Sequence, residues 1–289
     1  MTSNIMDSIS VVILTYNEEI HIERCIKSAK KYSNNIFVID SYSTDKTVEI
    51  SQSLNANILQ NKFINYSKQF SWALNNIKFK TDWILRLDAD EYLENDLILE
   101  INNKLPTLDK EIVGINFKRK HIFLNKWIKY GGRYPLILLR LWKNGHGYIE
   151  NRWMDEHILI KNGKKTLFKN NFCDHNLNNL SFFTNKHDWY ASREAIDILL
   201  EELNYNDNKD KLEKKNTSFN AFFKRTLKEK LYNNLPIGLR SSFYFIYRYF
   251  FLLGFLDGNK GFIYHFLQGF WYRVLVDSKL LEFKGAIKN

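Results

Sequence analysis

The sequence predicts an α/β fold, a mainly parallel sheet flanked by helices, followed by an α-helical, aromatic-rich appendage. Three observations predict it. Short β-branched runs alternate with stretches of helical spacing from Ile9 onward, the pattern of strands joined by crossover helices. Two of the runs end abruptly in carboxylates, at Asp40 and at Asp88. Phe, Tyr and Trp make up 16% of the 289 residues and crowd towards the C-terminus.

Ile9–Leu14 is the first strand, short and β-branched, and it ends at Thr15-Tyr16-Asn17-Glu18-Glu19. Ile22, Cys25, Ile26 and Ala29 then recur at helical spacing. Ile36–Asp40 is a second strand, and Ser41–Asp45 supplies capping residues for a helix through Val48 and Ile50. Asn57–Gln60 is a short third strand. Ser67 starts a helix with Phe70, Ala73, Leu74 and Ile77 on one face. Trp83–Leu87 is apolar enough for a strand covered on both sides.

That fourth strand runs into Asp88-Ala89-Asp90-Glu91, at the strand end where open α/β sheets bind ligands. One residue separates Asp88 from Asp90, so an unbroken strand aims both to one side. Two hard oxygen donors so placed suit Mg²⁺ or Mn²⁺, with water and phosphate completing the shell. Asp-x-Asp alone is a weak signal, and read by itself it is more often a solvated turn.

Ile112–Phe117 and Ile137–Trp142 are further strands, with turns at Gly131-Gly132 and Gly145-His146-Gly147. Trp153-Met154-Asp155-Glu156-His157 sets two carboxylates side by side; read alone it is a polar turn before the strand His157–Ile160. Ser181–Leu203 reads as a helix with Trp189, Ile196, Leu199, Leu200 and Leu203 as its apolar positions. Residues 204–218 are polar and charge-mixed, a linker. Phe243–Leu256 and Phe262–Phe283 are apolar helices around a turn at Asp257–Gly261, each too interrupted to span a bilayer.

The formal charge is +10, unevenly spread: residues 217–289 hold 11 Lys+Arg against 4 Asp+Glu. A basic, aromatic tail points to a polyanionic partner, an anionic membrane surface or nucleic acid. The aromatics lie in apolar runs rather than interleaved with Lys and Arg, which favours a membrane and argues against nucleic acid. Two cysteines are too few for a disulfide framework or zinc cluster. The N-terminus lacks a signal-peptide pattern, so the expected location is the cytoplasm, on the inner face of its membrane. There is neither GxGxxG nor a P-loop, so a nucleotide must be held by side chains and a metal. A nucleotidyltransferase remains the alternative enzyme, although Thr15–Glu19 is acidic and glycine-free where such enzymes usually carry a basic, Gly-rich loop.

With Val12–Glu19, Val38–Asp45 and Leu87–Glu91 in that order, the chain resembles the family 2 glycosyltransferases. Asn65–Gln69, Met154–His157, Gly254–Gly258 and Phe266–Arg273 are similar to the branch that builds lipopolysaccharide cores and exopolysaccharides. The resemblance implies a GT-A fold with a mixed, mainly parallel sheet, and sugar transfer with inversion. It implies a catalytic domain over 1–203, with a nucleotide-sugar half to 110 and an acceptor half beyond, and a membrane-associating region over 219–289. It implies a UDP-sugar donor, a membrane-anchored glycan acceptor and a Mg or Mn cation. By position, Thr15, Asn17, Glu18 or Glu19, and Asp40 line the nucleotide site, Asp40 accepting from the uracil ring. Lys68 is a candidate for phosphate charge, though a solvated helix lysine is the plainer reading. Asp88 and Asp90 match the metal and ribose-phosphate motif, and His175 the histidine that approaches the metal or pyrophosphate in some members. The Asp155-Glu156 pair lies where the family places its base; the order is reversed from the common Glu-Asp, and Glu156 is preferred over Asp155.

Overall fold

The computed structural model describes residues 5–150, 156–203, 236 and 238–288. The chain divides into two compact units, Met1–Lys129 with Arg133–Leu177, and Tyr130–Gly132 with Asn178–Asn289.

In the first unit a helical turn, α1 (Ile5–Ser8), leads into β1 (Ile9–Thr15). Then follow α2 (Ile22–Ala29), β2 (Asn35–Asp40), α3 (Thr47–Ser53), β3 (Asn57–Gln60), α4 (Tyr66–Asn76) and β4 (Trp83–Asp88), the alternation expected. Every residue of β1 is buried. Successive side chains of a strand point to opposite faces. Ile9, Val11 and Ile13 therefore join the layer of Ile22, Cys25 and Ile26, while Val12 and Leu14 join that of Phe70 and Ala73. Covered on both faces, β1 is the centre of a parallel set, with β2 on one side and β4 on the other. The register sets Thr15 beside Asp40 and Leu14 beside Asp88, so the polar ends of three strands share one edge.

β4 stops at Asp88, and Ala89 and Asp90 form a turn. The unbroken strand that would aim both aspartates alike does not form. β5 (Glu91–Leu93), α5 (Asn95–Lys104), β6 (Ile112–Phe123), β7 (Lys126–Ile128), β8 (Leu136–Lys143), β9 (Gly147–Ile149), β10 (Ile158–Ile160) and β11 (Lys164–His175) complete the unit. The sheet runs β3-β2-β1-β4-β8-β6-β11-β5, with β7 on β6, and β9 pairs with β10 separately. β8 is antiparallel to β4 and β6, β11 is parallel to β6, and β5 is antiparallel to β11. Two residues separate β4 from β5 in sequence, yet three strands lie between them in the sheet. The sheet must therefore curl, and Glu91 ends up paired with Asp174.

The residues read as caps for α3 act differently. The N-cap position falls on Lys46, whose side chain makes no cap bond. Asp45 accepts from Thr47 N–H, and Ser43 and Asp45 also accept from the backbone of Asn17 and Glu19. They tie two loops together. Helix α4 is capped by Asn65, which accepts from Lys68 N–H at 2.8 Å.

The second unit contains α6 (Leu180–Glu202), α7 (Leu239–Ile246), α8 (Gly258–Phe266) and α9 (Tyr272–Lys288), with π-helical turns at Tyr247–Phe251 and Leu267–Trp271. Helix α6 lies in this unit, and the division between the two units falls after Leu177. Its buried positions are Ala191 and Ala195, not Trp189 and Ile196, which are exposed. Small residues let α9 approach, and Tyr272 and Val276 pack against Ala191. Arg273 pairs with Glu194, Lys279 with Asp188, Lys284 with Glu202 and Arg240 with Asp277. The linker 204–218 lies outside the described residues.

Candidate active site

The rim of the site is built from two loops that follow β1 and β2. Asn17, at a left-handed φ of 54°, turns its Oδ1 to accept from Thr44 N–H at 2.8 Å. Glu18 N–H donates to Thr47 Oγ1, and its carboxylate meets His21 Nδ1. Glu19 accepts from Lys46 N–H at 3.1 Å. Asp40 is fully buried and accepts from Thr15 Oγ1, Ser43 N–H, Ser43 Oγ and Gln60 Nε2. Four donors fill the usual capacity of a carboxylate, so the uracil contact implied by the resemblance requires Asp40 to release one of them. As placed, Thr15, Asn17, Glu18, Glu19 and Asp40 come together at one edge and brace each other. Lys68 is exposed in the first turn of α4, whose neighbours border the same edge: Ser67 Oγ donates to Glu150 O, and Gln69 Nε2 to Ser41 Oγ.

Beyond the rim runs a chain of alternating charges. Arg86 Nη2 lies 3.0 Å from Glu156 Oε1 and 3.4 Å from Asp88 Oδ1. Arg140 Nη2 lies 3.6 Å from Asp88 Oδ2 and 2.5 Å from Glu91 Oε1, and Asp88 N–H donates to Glu91 Oε2. The arginines stand inside strand runs and rest their guanidinium groups over Phe70 and Phe172. Burial would raise the Asp88 carboxyl, but Arg86 and Arg140 outweigh it and hold it below the usual range. Burial works against the charge of Arg86, and Asp88 and Glu156 more than restore it. Glu91 is pushed up to about 8 by burial, against the pull of Arg140. Asp88 is 36% exposed and Glu156 10%, so Asp88 is the most open member of the chain. Asp155 lies outside the described residues.

Asp90 sits at the turn after β4. Its backbone oxygen accepts from His175 N–H and Arg24 Nη2, and its Oδ2 accepts from Asn176 Nδ2 at 3.1 Å. His175 therefore reaches Asp90 through its backbone. Its ring lies between Arg24, 3.2 Å from Nδ1, and Asn125, 3.0 Å from Nε2. Burial and then Arg24 lower its pKa, and the contacts to Arg24 and Asn125 engage both ring nitrogens. Among the described residues there is no group of three or more His, Cys, Asp or Glu side chains arranged for a metal. Mg²⁺ and Mn²⁺ bound with phosphates need only one or two carboxylates. Asp90 offers one, so the donor set fits.

Sequence reading missed Arg86, Arg140, Glu91 and Asn176. The first two had a signal: a lone charge inside an otherwise apolar strand run demands a buried counter-charge.

An uncharacterized glycosyltransferase of Rickettsia bellii is 43% identical over 101 residues, 35% of this chain and 34% of the relative. The glycosyltransferase SunS of Bacillus subtilis is 39% identical over 85 residues, 29% of this chain and 20% of its own length. These matches span about a third or less of the relatives' lengths. Crystal structures of glucosyl-3-phosphoglycerate synthase from Mycobacterium tuberculosis, in complex with Mn²⁺ and UDP-glucose, align over 39% of this chain and 43% of theirs, at 21% identity and a TM-score of 0.33. The sequence model of glycosyl transferase family 2 matches residues 10–177, which take in the first-strand loop, the Asp88-Ala89-Asp90 turn and Glu156. The mixed, mainly parallel sheet with its helical C-terminal part is the GT-A arrangement, and the chain belongs to glycosyltransferase family 2.

Proposed function

We propose that the enzyme is an inverting hexosyltransferase, moving a sugar from a UDP-sugar or other nucleotide sugar to a hydroxyl of a lipid-linked, lipopolysaccharide or capsular glycan. The observation that carries this reading is the position of Glu156. It is remote in sequence from Asp88, yet a single guanidinium, that of Arg86, touches both. Glu156 takes the proton of the acceptor hydroxyl as its oxygen attacks the anomeric carbon. One base suffices, because a single displacement forms no covalent sugar–enzyme intermediate. The two braced loops hold the nucleotide, with Thr15, Asn17, Glu18, Glu19 and Asp40 at their edge and Lys68 available to a phosphate. When bound, a divalent cation on Asp90, with Asp88 beside it, supplies positive charge against the departing diphosphate. A thermal-shift panel of UDP-, GDP- and dTDP-sugars with Mn²⁺ tests the donor class. One nucleotide at a hundred times its Kd should stabilise by about 2.7 kcal/mol, several degrees for a chain of this size. No shift with any of the three counts against a nucleotide-sugar donor.

We also propose a membrane surface as the place of the acceptor, on the cytoplasmic side. Among the described residues no helix is long and apolar enough to cross a membrane. Support comes from exposed rings in the second unit: Phe251 is 73% and Phe250 55% exposed, and Tyr249 links Phe250 to Phe255 and Phe262. Four basic side chains of α7 and α9 are spent on ion pairs, so this face docks by burying apolar rings in the headgroup zone more than by charge. Flotation with anionic liposomes should carry the protein upward at low salt; protein left at the bottom rejects the surface.

A further inference from the structure

We propose that Arg86 is a positioning residue for the reaction: forked between Glu156 and Asp88, it sets where the base carboxylate stands. The proposal rests on Glu156 being the base. Arg86 occupies a buried position in β4, two residues after Ile84 and on the same side of the strand. That side faces the apolar layer of Val12, Leu14 and Phe70. A hydrophobic residue would suit such a position at least as well, since buried ion pairs are often no more stable than apolar replacements. Stability alone therefore does not account for an arginine there.

Its contacts do. One nitrogen, Nη2, meets both Glu156, at 3.0 Å, and Asp88, at 3.4 Å. The Phe70 ring lies under the guanidinium, 5.3 Å away, and limits where the head can go. Arg86 Nε is buried with no hydrogen-bond partner among the described residues. The Nη2 contacts keep the head where it reaches both carboxylates. Glu156 precedes the short strand β10 and depends on a partner from elsewhere to hold its carboxylate, and Arg86 is that partner. A displacement of about 1 Å in a reacting group costs roughly 10²-fold, so the loss of the fork reaches the rate even with the base present.

The test is a double-mutant cycle on the full chain, with Arg86→Met, Glu156→Gln and the pair. Rates, donor KM and donor-induced melting shifts are measured for each, with Arg86→Lys as the conservative control. Arg86→Met should lower kcat by roughly 10²-fold while donor KM and the donor-induced shift stay within about threefold of the parent. In the Glu156→Gln background the same change should cost less than about threefold more, because the group it positions is gone. Arg86→Lys, which keeps the charge but not the planar head seated over Phe70, should recover part of the rate. Arg86→Met with near-parental kcat overturns the proposal while leaving the base assignment standing. A full multiplicative loss in the double variant also overturns it, since Arg86 then acts independently of Glu156. If Arg86→Met melts much earlier than the parent, Arg86→Lys decides: a folded lysine variant with parental kcat overturns the fork. Near-parental turnover of Glu156→Gln rejects the base assignment itself, and this inference with it.

Discussion

Glu156→Gln is expected to lower kcat by at least about 10²-fold, with the nucleotide-sugar melting shift retained. The amide keeps the shape of the side chain and its carbonyl oxygen can still accept from Arg86. What it loses is the ability to take a proton from the acceptor hydroxyl. The donor does not need that ability to bind, so donor binding and catalysis should separate. The residue is 10% exposed and held at 3.0 Å by Arg86, a setting in which a carboxylate is fixed rather than free to sample solvent. Asp155→Asn is the control, because Asp155 is the other member of the pair. A parental rate for Glu156→Gln together with a collapse in Asp155→Asn moves the base to Asp155. Parental rates for both reject a base from this element.

Much of the catalytic half is legible in the amino-acid sequence. β1, β2 and β4 are continuous apolar runs because both faces are covered, and a run of that kind identifies itself without partners. Their carboxylate endings then fall on one edge by parallel register, which places Thr15, Asp40 and Asp88 together. The long strand β11 is not legible beyond its end. It carries Lys164, Lys165, Lys169, Asn170 and Asn171, and its place is set by pairing with β6 and β5 rather than by its own hydrophobic pattern. Register shifts within that pairing decide where Asp174 and His175 arrive. The place of α6 is hidden for a related reason. Trp189 and Ile196 dominate its apolar count, yet contact with α9 uses Ala191, a residue that hydrophobicity alone does not single out. Each arginine in an apolar run announces that a buried counter-charge exists, but which carboxylate answers it, as Glu91 answers Arg140 from 49 residues away, is fixed only by the fold.

Asp90→Asn, or removal of divalent cations by EDTA, is expected to cost roughly 10²-fold or more in rate, the scale of several kcal/mol of charge stabilisation at a transition state. The two aspartates of the turn are not equivalent. Asp88 faces a guanidinium on each oxygen, Arg86 at 3.4 Å and Arg140 at 3.6 Å, and its negative charge is largely answered by the protein. Asp90 stands past the end of β4, its backbone oxygen anchored by Arg24 and His175 N–H and its carboxylate steadied by the neutral amide of Asn176. A backbone anchored in this way holds the Asp90 carboxylate at the strand end, where it can meet a cation. The change should therefore remove the Mn²⁺-dependent part of the nucleotide-sugar melting shift and leave the apo melting temperature close to the parent. Asp88→Asn should behave differently, lowering the apo melting temperature, because the buried Arg86 and Arg140 each lose a counter-charge. Full activity in EDTA, or an undiminished Mn²⁺ response in Asp90→Asn, excludes Asp90 as the cation's ligand.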